Sequence, residues 1–132
     1  MPTPRCFLPA ATGPDGRIYA IGGTSGFGTS RYNTVEAYTA GANSWATVAP
    51  MPTARLLLAA ATGPDGRVYA IGGTDRANTF NTVEAYTVGT NSWATVAPMP
   101  TARSGLAAAT GPDGRIYAIG GNSGTTVEAY TV

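Results

Sequence analysis

The chain has 132 residues, 43% hydrophobic and only 11% charged, with eight basic against seven acidic side chains and a net charge of +1. That near balance argues against phosphate-backbone binding, which draws on a basic stripe, and no apolar run approaches the roughly 18 residues of a membrane span. There is no His, no Lys and a single Cys, Cys6, which removes an internal disulfide, the usual Cys/His zinc sites, Ser-His-Asp and Cys-His nucleophiles, Schiff-base lysines and P-loops.

Gly (18) and Pro (10) punctuate an otherwise apolar chain, the mark of a turn-rich all-β protein. Internal repetition dominates the pattern. Gly-Pro-Asp-Gly-Arg-(Ile/Val)-Tyr-Ala-Ile-Gly-Gly begins at Gly13, Gly63 and Gly111, spacings of 50 and 48 residues. Thr-Val-Glu-Ala-Tyr-Thr begins at Thr34, Thr82 and Thr126, and Asn-Ser-Trp-Ala-Thr-Val-Ala-Pro-Met-Pro-Thr-Ala-Arg at Asn43 and Asn91. Residues 1–5, Met-Pro-Thr-Pro-Arg, resemble the end of that last segment. Residues 44–73 and 92–121 differ at three positions: Leu56/Ser104, Leu57/Gly105 and Val68/Ile116.

In chain order, the first unit (about 1–50) predicts four short strands: A over 6–12, B over 17–22, C over 34–39 and D over 44–49. The second unit (about 51–98) repeats them, with A over 56–62 and D over 92–97. The third (99–132) has A over 104–110, then B and C, and no D, so the three units form one domain, 1–132. Gly-Pro-Asp-Gly is the A–B turn: Pro presets φ, Asp can bond the backbone ahead and Gly accepts positive φ. Ala-Gly-Ala-Asn and Val-Gly-Thr-Asn turn C into D, and Pro-Met-Pro after D cannot continue a ladder. Strand A is built of small residues, which suits a crowded axis, and the bulk sits in B, C and D. Cys6 has no counterpart Cys and reads as a small buried hydrophobe.

A period near 50 with a Gly-Gly pair and four strands resembles the kelch repeat. The resemblance rests on the pairs Gly22-Gly23, Gly72-Gly73 and Gly120-Gly121, on Glu36, Glu84 and Glu128 with Tyr38, Tyr86 and Tyr130, on Trp45 and Trp93, and on Met51-Pro52 followed by Arg55. It implies an all-β fold of kelch-type β-propeller blades, each of four antiparallel strands, with strand A at the central channel and D at the rim. These motif residues are then structural: the aromatics pack between blades, and the glycines serve strand ends that need positive φ or close approach.

Three blades make half a propeller, because closed rings typically need four to eight. Exposed flanks on the first and last blade imply a partner, and a second copy would give a six-bladed homodimeric ring with two-fold symmetry. The competing expectation is that the chain is part of a longer propeller. Strand direction places the B–C loops and the D–A junctions on one face. The B–C loops differ in length, with ten residues over 24–33, eight over 74–81 and four over 122–125, as binding loops on a fixed scaffold do. That face gathers Arg5, Arg55 and Arg103 at the junctions, with Arg31, Arg76, Tyr32, Phe27 and Phe80 in the loops and Asp75 as the acid among them. In a ring, the junction arginines would take an anion or a carboxylate-bearing peptide. The alternative pairs each with the Glu of a unit, Glu36, Glu84 or Glu128. The opposite face repeats Asp15/Arg17, Asp65/Arg67 and Asp113/Arg115, which reads as solvated local electrostatics.

Copper-dependent kelch oxidases use His ligands, which this chain lacks. Three nearly identical blades leave little room for differentiated catalytic groups, and no carboxylate pair in a cleft is evident. The sequence therefore reads as a non-catalytic interaction module without metal or cofactor, a self-assembling scaffold with a protein, peptide or carbohydrate ligand. No nucleic acid or membrane is expected as a partner. The alternatives are a purely structural, amplified or engineered repeat, and a fragment of a propeller enzyme.

Overall fold

The structure, a computed structural model, describes residues 1–26 and 30–132. Each Gly-Pro-Asp-Gly segment folds back on itself in the same way. In the first, the Gly16 N–H donates to the Gly13 carbonyl at 3.0 Å and the Gly13 N–H to the Arg17 carbonyl at 2.8 Å. The strands these turns join form three separate antiparallel sheets. β1 (Ala10–Thr12), β2 (Ile18–Ile21), β3 (Val35–Thr39) and β4 (Ser44–Val48) make the first, in sequence order. β5 (Ala59–Thr62), β6 (Val68–Ile71), β7 (Val83–Thr87) and β8 (Ser92–Val96) make the second. β9 (Ala107–Thr110), β10 (Ile116–Ile119) and β11 (Val127–Tyr130) make the third, which ends at β11. Register is conserved from sheet to sheet: Glu36 stands between Ala20 and Thr47, Glu84 between Ala70 and Thr95, and Glu128 beside Ala118.

The sheets stand side by side with their small-residue strands adjacent, β1 against β5 and β5 against β9. A threonine ladder joins these inner strands: Thr62 Oγ1 donates to the Thr12 carbonyl and Thr110 Oγ1 to the Thr62 carbonyl, both at 2.6 Å. Two apolar cores fill the spaces between sheets. Tyr19, Ile21, Val35 and Ala37 of the first sheet meet Met51, Leu58, Val68, Ala70 and Tyr86. Tyr69, Ile71, Val83 and Ala85 of the second meet Met99, Ile116 and Ala118. One face of each sheet thus presents Tyr, Ile, Val and Ala, and the next sheet answers with Met, a β-branched residue and Ala. Aromatic pairs cross the same gaps, Tyr19–Tyr86 at 5.5 Å and Tyr69–Tyr130 at 5.8 Å between ring centroids.

Three expectations change in detail. Strand A does not begin at residues 6, 56 and 104: Cys6 and Leu56 make only isolated bridges, to Thr24 and Thr74. The chain then breaks where Phe7, Leu57 and Gly105 take φ of 56°, 57° and 66° before resuming as strand. Gly105, in register with Phe7 and Leu57, was the sequence signal for that break, because positive φ suits glycine. Cys6 is exposed rather than buried, on the flank where Met1 and Ile18 are also exposed, whereas its counterpart Leu56 is only 2% exposed. The third B–C loop contains a short 3-10 turn, Gly121–Ser123.

Candidate functional site

The junction arginines are the most completely enclosed charges in the molecule. Arg55 Nη1 donates to the carbonyls of Gly72 at 2.6 Å and Thr82 at 3.2 Å, while Nη2 meets Glu84 Oε1 at 2.7 Å and the Ala70 carbonyl at 3.4 Å. Thr53 Oγ1 donates to the other Glu84 oxygen at 2.8 Å. Arg5 repeats this with Gly22, Thr34, Ala20 and Glu36, and Thr3 takes the place of Thr53. Arg103 reaches Gly120 and Thr126 and lies 3.1 Å from Glu128. All three arginine side chains have no exposed surface. Burial pushes the Arg55 guanidinium downward, against the opposing pull of Glu84, but an arginine stays charged at neutral pH.

The same residue also ties neighbouring sheets. The Gly23 N–H donates to the Arg55 carbonyl and the Gly73 N–H to the Arg103 carbonyl, at 2.8 and 2.9 Å. Arg55 and Arg103 thus each fasten one blade with the side chain and the preceding blade with the backbone. Their surroundings are those of the Arg–Glu pairing alternative, and the arc presents none of the three guanidinium groups to solvent.

The loop residues lie outside this network or at its edge. Tyr32 and Phe80 occupy equivalent places. Their N–H groups donate to Gly23 and Gly73, both at 2.9 Å, and their carbonyls accept from Arg55 and Arg103. Both side chains are half-buried. Arg76 crosses from the second B–C loop to the first, reaching the Gly26 carbonyl at 2.9 Å and Thr24 Oγ1 at 3.2 Å. Arg31 is exposed. Asp75 caps its own loop by accepting from the Asn78 and Ala77 N–H groups at 2.6 and 3.0 Å. The Asn78 bond, with help from the nearby Arg31 charge, holds the Asp75 carboxyl below its usual range. The loops of the first two blades therefore form one continuous surface, with Arg31, Tyr32, Arg76 and Phe80 on it. Phe27 lies outside the described residues.

The opposite face carries more structure than a solvated ion pair. Asp15 Oδ2 accepts from Arg17 Nε at 2.6 Å and from the Tyr19 hydroxyl at 2.8 Å, and its Oδ1 accepts the Arg17 N–H at 3.1 Å. The Arg17 guanidinium lies 5.3 Å from the Tyr19 ring centroid. The triad recurs at Asp65/Arg67/Tyr69 and Asp113/Arg115/Tyr117. Burial acts to raise the Asp15 and Asp65 carboxyls, but the bonds from Arg and Tyr outweigh it and leave both lowered. At Asp113 the Tyr117 and Arg115 bonds bring the carboxyl down to about 2. Burial and the bond to aspartate push the Tyr19 and Tyr69 hydroxyls upward. The hydroxyl bond gives these tyrosines a function beyond filling space, and its signal in the sequence is the Asp-x-x-x-Tyr spacing that recurs in every unit.

The two ends of the arc are the remaining distinctive surfaces. Ile119 and Val127 of the last sheet are 42% and 55% exposed, whereas their equivalents Ile21 and Val35 are fully buried. On the first sheet, Met1 and Ile18 are 45% and 39% exposed, against 1% for Met51 and 0% for Val68. A Cβ on Gly22 would meet the Arg55 carbonyl, Met51 Cε and Leu58 Cδ2, and one on Gly72 the corresponding atoms of Arg103, Met99 and Leu106. A Cβ on Gly120 would meet only the Gly124 carbonyl, at 3.4 Å.

No curated protein matches the chain. Among protein families, the kelch motif matches residues 5–52 and again 55–100. Those two matches cover the first two four-stranded sheets with their Gly-Gly, Glu, Tyr and Trp positions, and the third sheet repeats the same register without its outer strand. On this sequence match and this sheet architecture, the chain belongs to the kelch-repeat family.

Proposed function

We propose that the chain, acting as one unit over residues 1–132, is a non-catalytic interaction scaffold that pairs with a second copy to close a six-bladed ring. Kelch repeats generally act as scaffolds for protein interaction and are typically non-catalytic. The observation that carries the reading is the matched exposure at the two ends. The last sheet bares the Tyr, Ile, Val and Ala face, the first bares the Met and Ile face, and inside the arc these two faces bury each other twice. Two-fold pairing sets Met1, Leu8 and Arg5 of one copy against Gly120 of the other, as Met51, Leu58 and Arg55 sit against Gly22. It also extends the threonine ladder from Thr12 to the other copy's Thr110. A closed pair forms two such interfaces while losing translational freedom once, a cost of about 4–15 kcal/mol. Covering a fully exposed Ile, Met or Phe returns about 1.5–3 kcal/mol.

Ligand recognition belongs on the B–C and D–A loop face, where the three loops differ most. Arg31, with Tyr32 and Phe80 on the same face, offers a cation and apolar surface to a protein, peptide or carbohydrate. The near-identity of the units supports a second reading, in which the ring is purely structural. Two substitutions separate the parts of the proposal. Ile119→Asp should turn the dimer into a monomer, and an unchanged dimer would refute the pairing. Arg31→Ala should leave assembly intact and remove binding to ligands found on peptide and glycan arrays. Arrays that yield no ligand for the wild-type ring would favour the structural reading.

A further inference from the structure

The inner parts of the three blades meet on the loop face. Leu56 and Thr74 exchange backbone bonds in both directions, which holds the approach to β5 against the second B–C loop. The next residue, Leu57, turns inward. Its N–H donates to the Phe7 carbonyl at 2.9 Å, and its carbonyl accepts from the Gly105 N–H at 2.8 Å. Phe7, Leu57 and Gly105 thus stand in a row, one per blade, along the inner edge of the arc.

Three observations set this row apart. The backbone there takes φ of 56°, 57° and 66°, a conformation that suits Gly105 and strains a bulky side chain. The strained side chains also do little for the core. Leu57 has a blade on either side and is still half-buried, whereas Leu56 and Leu58 are 2% and 5% exposed. Finally, the nearly identical residues 44–73 and 92–121 differ at three positions, and two of these, Leu56/Ser104 and Leu57/Gly105, lie here. Glycine satisfies the backbone at this place in the third unit, yet the first two units keep Phe and Leu. Strain retained beneath water-facing apolar groups points to a use outside the fold.

We propose that Phe7 and Leu57 form an apolar seat for one aromatic or leucine side chain of a partner polypeptide, flanked in that partner by acidic residues. The proposal rests on the reading of the loop face as the ligand face, and names the class of ligand it takes. The seat itself is uncharged: Arg55 and Arg103, two residues away in the chain, have no exposed side-chain surface and stand beside Glu84 and Glu128. An ion therefore gains nothing in the seat, while an apolar side chain gains by leaving water. A Cβ on Gly105 would meet nothing within 4 Å, so open space adjoins Leu57 for the anchor. The loops above carry exposed Arg31 and Arg76 against Asp75, and acidic neighbours of the anchor complement that charge.

The test selects short peptides from a random phage-displayed library on the full chain and titrates a labelled winner by fluorescence anisotropy. Winners should share Phe, Trp or Leu beside Asp or Glu. Changing that anchor to Ala should weaken binding about tenfold or more, and so should the chain variant Phe7→Asn/Leu57→Asn. Asn accepts positive φ, so this variant should unfold at no lower temperature than the wild type, an outcome that a packing role would not give. A photo-reactive group at the anchor position should label residue 7 or 57. Labelling elsewhere would overturn the proposal even if the double variant fails to fold, as would winners without an apolar anchor or full binding to that variant. Winners lost with Arg31→Ala but indifferent to the double variant would overturn the seat and leave the loop face standing. A library without a winner would overturn both.

Discussion

Replacing Arg55 with Met removes a fully buried cation and leaves Glu84, 1% exposed, without its counter-charge. The loss includes the 2.7 Å contact to Glu84 and the bonds to the Gly72 and Thr82 carbonyls. Breaking one partner out of a buried pair costs about 3–5 kcal/mol, a large share of the roughly 5–15 kcal/mol that holds a domain folded. Arg55→Met should therefore unfold at markedly lower urea, followed by the fluorescence of Trp45 and Trp93. The double variant Arg55→Met/Glu84→Leu should recover part of the loss, because it removes the stranded charge. Arg103→Met should cost less than Arg55→Met, since Glu128 keeps some solvent. Asp65→Asn breaks a pair whose side chains are 33% and 27% exposed and should cost at most about 1 kcal/mol. An Arg55→Met loss below about 1 kcal/mol, or a double variant no better than the single, would refute the view that these pairs hold the blades.

Gly72→Ala places a Cβ 2.5 Å from the Arg103 carbonyl at φ +65°. It should be severely destabilising by urea unfolding, since backbone strain and overpacking each cost about 1–3 kcal/mol. Gly120→Ala meets the Gly124 carbonyl at an ordinary 3.4 Å but sits at φ 69° and ψ −133°; it should cost the single chain about 1–3 kcal/mol and abolish self-association by sedimentation, while Gly41→Ala, in open space, should do neither. Asp113 should titrate by NMR with a midpoint of about 2 rather than 3.8. Because this carboxyl is lowered on folding, its contribution is present above the unfolded value and is lost as pH falls through the folded one, so Asp113→Asn should lower stability at neutral pH and flatten the acid limb, the two proteins converging at the acid end. Cys6 is exposed in the single arc while its counterpart Leu56 is buried, so a thiol reagent should react more slowly with Cys6 as protein concentration rises; a rate independent of concentration would count against burial at a closing interface.

Much of this was legible because the repeats hold each feature in register. One Arg and one Glu per unit suggested a pair, and the pair is there three times. The A–B turns and strands B, C and D followed from the repeat and its Gly- and Pro-containing turns, with ends differing by a residue. What escaped depended on comparison across blades or on a side chain's second function. Phe7 and Leu57 look like strand residues, and only Gly105 in the same register hints at their positive φ. Tyr19 looks like packing, yet its hydroxyl fixes the Asp15 turn. Arg76 reads as a loop residue of the ligand face, but it bonds the carbonyl of Gly26, 50 residues away, a distance local pattern cannot bridge. The exposure of Cys6 reflects the arc's end rather than its own chemistry.

Closure of the arc by a second copy doubles the mass in solution, which light scattering across a dilution series reads. A folded species near twice 13.4 kDa should appear, giving way to single chains only on strong dilution. A clean, folded species of 13.4 kDa at every concentration would contradict it.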